Sequence, residues 1–193
     1  PAAFLAGVQI AMGLLALASI VLYAQAFDAM AWLMGALAPQ NDGYVLFNLG
    51  SALIAMAIML PATFMAGMTL PLLTYLLLKG GYGERSIGYV YAWNTLGSIA
   101  GVLLGVHFGL PLLGLKLSLI GAATVDLALG VGLLWVHAGA KSRRLALAAS
   151  AACVLVIAVA PSALSVDPFR TASGVFRMGI ARVPAGDRIL FNR

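Results

Sequence analysis

Charged residues are so sparse along this chain that the gaps between them outline its elements. No charge interrupts Ala2 to Ala26, and about 20 apolar residues suffice to cross the hydrocarbon core of a bilayer. That stretch predicts a first membrane span. Asp28 to Leu37 is also apolar but only about ten residues long, which suits an interfacial helix better than a span. "PQNDG" (39–43) has the composition of a turn. Tyr44 to Leu78 then runs 35 residues without a charge. As one helix it would be about 52 Å long at 1.5 Å per residue, against a hydrocarbon core of about 30 Å. Pro61 and Pro71 each remove a backbone donor and crowd the preceding turn. The expectation is a helix over 44–60, an irregular piece "PATFMAGMTLP" (61–71) and a short helix to 78. Ser86–Phe108, turned by "GLPLLGL" (109–115), gives a third span. Lys116–His137 gives a fourth, and Leu145–Ala160, ended by Pro161, a fifth. "KGGYGER" (79–85) and "KSRR" (141–144) are the loops between them.

The pattern predicts an all-α integral membrane protein, a polytopic bundle of about five transmembrane helices with one broken helix. The bundle occupies 1–161. An extramembranous tail or linker follows over 162–193, with five arginines, two aspartates and short strands expected at 175–183 and 188–192. Composition agrees: 63% of residues are hydrophobic and 9% charged, where soluble domains carry about 25% charged residues. The net charge of +5 needs no nucleic acid, because basic residues gather in membrane loops and at lipid surfaces. Loops 79–85 and 141–144 share one side by parity and hold five Lys and Arg. The positive-inside bias places them in the cytoplasm of a multi-pass plasma (inner) membrane protein. By parity Lys116 and the tail fall opposite, against the tail's own five arginines, which favour the cytoplasmic side. Cys153 is the single cysteine, so no intrachain disulfide forms. The opening at Pro1, without a basic stretch before the first apolar run, reads as a fragment or a processed chain.

Span three carries Gly97, Gly101, Gly105 and Gly109 at intervals of four. Each costs a helix interior about 1 kcal/mol relative to alanine. A four-residue step drifts about 40°, so the ladder covers an arc of about 120°, shared by Tyr91, Asn94 and Ser98. In lipid, small residues at this spacing let helix backbones approach closely. The face is expected to pack on a helix of the same subunit or of a partner. Asp126 stands near the middle of span four, where an acid costs about 2.5–3.5 kcal/mol on insertion scales. A hairpin about 112–113 brings it to the depth of Ile99, facing Ser98 and the glycine groove. It then serves either as a proton or cation site or as a neutral acid that joins helices by hydrogen bonds. His107 and His137 read as interfacial, and Trp32, Trp93 and Trp135 as belt or packing residues. No metal-ligand spacing, phosphate loop or nucleophile elbow is present, so no catalytic, metal or cofactor residue is assigned.

"LPATFMAGMTLPLLTYLL" followed by "IGYVYAWNTLGSIAGVLLGVHFGLPLLGL" resembles the membrane domain fused to bacterial spermidine-synthase-like proteins. The matching positions are Pro61 to Pro71, then Gly88, Tyr91, Asn94, Thr95 and Gly97, then Leu110, Pro111 and Gly114. The resemblance covers about residues 60–135, and "SGVFRM" and "RILFNR" look like the approach to that family's catalytic domain. It implies an aminopropyltransferase-like half, which binds S-adenosylmethionine-type ligands on a Rossmann-like sheet, after this region. None of that half falls within these residues. Asp126 also stands where the family carries a neutral polar residue such as Asn. What the resemblance implies here is a non-catalytic anchor or transporter-like module, passing a small polyamine-like solute to a synthase. Two other readings compete: an accessory subunit docking through the glycine face, and a solute-transporter fragment. The expected partners are membrane lipid and a second protein or another copy of the chain.

Overall fold

A computed structural model describes residues 2–37, 41–137, 143–164, 167–171 and 173–175. Regular structure among them is helical throughout: α1 (Ala2–Ala36), α2 (Asn41–Lys79), α3 (Arg85–Leu104), a π-helix (Gly105–Leu113), α4 (Gly114–His137), α5 (Arg143–Ala163) and the single turn α6 (Pro168–Thr171). α1, α2, α5 and the stretch Arg85–His137 are long and apolar enough to cross a membrane. Most large apolar side chains outside the helix contacts are exposed. Such a surface suits a bilayer, in which apolar atoms have no water to avoid.

Four expectations need correction. The separate interfacial helix over 28–37 is the continuation of α1. No glycine or proline lies between Ala24 and Met34, so nothing in the backbone ends the helix there. The break at 61–71 is absent: α2 runs through Pro61 and Pro71. Each proline frees one carbonyl, whereas an irregular eleven-residue piece would leave many backbone groups unpaired in an apolar medium. Residues 41–43, expected in a turn, form the start of α2. α5 likewise continues past Pro161, and Lys116 Nζ donates to Pro161 O at 2.6 Å, satisfying a carbonyl of the last turn. Apart from Val175, the strands expected in the tail lie outside the described residues.

The chain divides into two compact units. The first holds residues up to Leu17 and Pro61–Ala163. In it α3 leads into the π-helix, and Gly114, at φ 72°, lets the chain reverse into α4. The reversal brings Gly109 against Ser118, whose Oγ would lie 3.2 Å from a Cβ on Gly109. α4 buries Ile120, Ala123, Leu127 and Gly130, one stripe at helical spacing. The start of α1 lies on that stripe. A Cβ on Gly13 would sit 2.9 Å from Ala123 O, and one on Gly130 2.9 Å from Ala6 O. Glycine on each helix thus permits backbone contact. α5 joins α4 through Trp135 Nε1, which donates to Ser150 Oγ at 3.0 Å.

The second unit holds Ala18–Leu60 and the described residues from Leu164 to Val175. Its core is Phe27, Met30 and Val175, wrapped by Tyr23, Met34, Phe47 and Ile54. Tyr23 meets Phe27 edge to face at 5.2 Å between ring centroids. Gly50 lies so close to Leu33 that a Cβ would stand 2.5 Å from Leu33 Cδ2. Arg170 of α6 pairs with Asp28 at 2.8 Å and also reaches Ala24 O.

Candidate functional site

Within the first unit, four helices enclose an open cavity of about 540 Å³. Leu5 and Gln9 enter from α1; Thr69, Leu70, Leu73 and Leu77 from α2. α3 supplies Tyr89, Val90, Trp93 and Asn94, and α4 supplies Leu129 and Leu133. Helical periodicity explains the sets. Residues 70, 73 and 77 share one face of α2; 90, 93 and 94 one face of α3; and 129 and 133 one face of α4. Val90 and Asn94 line the same cavity as Leu129 and Leu133, the chain having reversed at Gly114 between them.

The wall is leucine-rich, with few polar groups. The Thr69 hydroxyl is occupied, donating to Ala66 O at 2.7 Å. Gln9 is different: its Oε1 is buried and has no hydrogen-bond partner among the described residues. Leaving a buried acceptor unpaired costs about 1–3 kcal/mol. Asn94 is exposed, and its carbonyl accepts from Ser98 Oγ at 2.8 Å. Its carboxamide makes no hydrogen bond among the described residues.

The residues singled out in the sequence are not gathered in one place. Asn94 lines the cavity. Tyr91, on the same helix, does not; its carbonyl accepts from Thr95 Oγ1. Ser98, expected to meet Asp126, gives its hydroxyl to Asn94 O instead. Asp126 is half-buried on α4, three residues before Leu129 and outside the cavity wall. No described residue bonds its carboxylate.

The glycine ladder is not seated on another helix among the described residues. A Cβ on Gly97, Gly101 or Gly105 would meet nothing within 4 Å. Gly109 alone has a neighbour outside its own helix, Ser118. The ladder also crosses from α3 into the π-helix at Gly105. The angular step on which a single face was drawn therefore ends at Leu104. His107 is exposed within the π-helix, and the His137 ring bonds Leu133 O at 3.0 Å.

Gln9, Tyr89 and the α2 leucines are cavity residues that the sequence reading passed over. A signal for Gln9 existed: it is a carboxamide inside "AFLAGVQIAMG", an otherwise apolar run. The packing glycines Gly13 and Gly130 had none, since neither belongs to a regular repeat. No family model, curated protein or solved structure matches the chain.

Proposed function

We propose that these residues form the non-catalytic membrane domain of a spermidine-synthase-like protein, an anchor and transporter-like module that holds a small solute inside its helical bundle. The observation carrying this reading is the meeting of Thr69 and Asn94 in one cavity. They come from the two separate segments on which the resemblance rests, Pro61–Pro71 and Gly88–Gly97. A cavity of this size falls in the range of about 300–1,000 Å³ typical of small-molecule sites. The test is the native gene product, purified from bacterial inner membranes and weighed intact. A mass well above the 19.9 kDa of these residues, with aminopropyltransferase activity in the same particle, is the expected result. A native chain that ends near this mass and co-purifies with other subunits would overturn the fusion.

A second reading has its own observation. Gly97, Gly101 and Gly105 are uncovered by the rest of the described chain, as they would be if the helix of another subunit lay along them. In that accessory-subunit reading, Gly101→Leu reduces the assembly to single copies in native mass spectrometry, whereas an unchanged assembly removes it.

A further inference from the structure

The cavity wall carries no charge. Its twelve lining residues include no Asp, Glu, Lys or Arg, and the acid nearest along α4, Asp126, is not among them. A charged guest would lose its water without gaining a counter-charge, the least favourable way to bury an ion. The wall instead offers leucines from all four helices except α3, where the Trp93 ring takes their place. It also offers hydrogen bonding without charge, from the side chains of Gln9, Tyr89 and Asn94. Gln9 Oε1 is buried and unpartnered, and the Asn94 carboxamide shares the cavity. A carboxamide both donates and accepts, so the pair suits a hydroxyl, amide or similar neutral head group.

From these features we infer that the cavity binds a neutral amphiphile: an apolar body held among the leucines and Trp93, and a single uncharged hydrogen-bonding head taken by Gln9 and Asn94. This rests on the reading of the cavity as a binding site, and not on the family resemblance. It selects against a polyamine-like cation as the guest of this cavity. A guest of this kind partitions into the bilayer and enters laterally between helices, so the route needs no aqueous channel.

The experiment uses the full-length protein in lipid nanodiscs with Trp32→Phe and Trp135→Phe, leaving Trp93 as the reporter within these residues; a matching Trp93→Phe sample supplies the background to subtract. Two probes share one brominated twelve-carbon tail, which quenches tryptophan on contact. One ends in a hydroxyl and the other in a trimethylammonium group. The expected result is saturable quenching of Trp93 by the alcohol, at least tenfold weaker for the cation. Gln9→Leu and Asn94→Leu should each weaken the alcohol about tenfold. Asn94 is exposed, so its variant keeps the test sharp if Gln9→Leu does not fold. Equal or tighter binding of the cation overturns the neutral-ligand inference while the cavity survives as a site. Unchanged affinity in both folded variants overturns the assignment of the head group. Saturable quenching by neither probe overturns the cavity as a binding site, and the inference with it.

Discussion

Two glycines of identical chemistry have opposite surroundings here. A Cβ on Gly130 would stand 2.6 Å from Ile10 Cγ1 and 2.9 Å from Ala6 O. The second of these is backbone and cannot swing away, so α1 must retreat from α4. Overpacking of this kind costs about 1–3 kcal/mol. Gly130→Ala should therefore lower the melting temperature in detergent. Gly101→Ala meets open space and gains up to about 1 kcal/mol of helix propensity, so its melting temperature should hold or rise. A fall at Gly101 as deep as at Gly130 would mean that a partner covers the ladder. The contrast also shows what residue patterns conveyed. Repetition made Gly97 to Gly109 conspicuous, yet the contacts between α1 and α4 use irregularly spaced glycines, visible only once the two helices are placed together. Asn94 was legible as a polar residue inside a span. Gln9 became significant only when the cavity showed its oxygen unpaired.

At the scale of elements, the apolar runs were legible because hydrophobic length sets helix length in a bilayer. The ends were less so. Pro61 and Pro71 suggested a break covered by protein, because each removes a donor and crowds the preceding turn. Inside an apolar medium the intact helix is the better-paired state, and α2 stays continuous. A proline in a helix interior is about 3 kcal/mol less favourable than alanine. Pro61→Ala and Pro71→Ala should then leave the fold intact and raise thermal stability in detergent. A loss of stability in either would show that an irregular backbone there is part of the native structure. The π-helix could not be read at all. Nothing in "GVHFGLPLL" specifies the wider hydrogen-bond pattern, although Pro111 removes one donor and the chain reverses at Gly114 directly after it.

For the whole molecule, the sparse charges make a prediction about sidedness. Tyr82 is exposed in the loop between α2 and α3, beside Lys79 and Arg85. The positive-inside bias predicts a cytoplasmic position for this loop. With Cys153→Ala as background, Tyr82→Cys should resist a membrane-impermeant maleimide added to whole cells and react once inverted vesicles expose the inner face. Labelling of intact cells would reverse the orientation.

The contact of α1 with α4 also has a consequence in time. Gly13 and Leu127, which meet across it, are separated by more than a hundred residues of chain. Synthesis adds about 5–20 residues per second, so the first span emerges roughly 6–23 s before its partner exists. Throughout that interval the glycine-bearing face of α1 lacks its native partner. The bundle cannot close in the order in which it is made: its earliest helix is completed by one of its last, and any premature release of α1 presents a narrow, backbone-exposing groove to whichever helix arrives first.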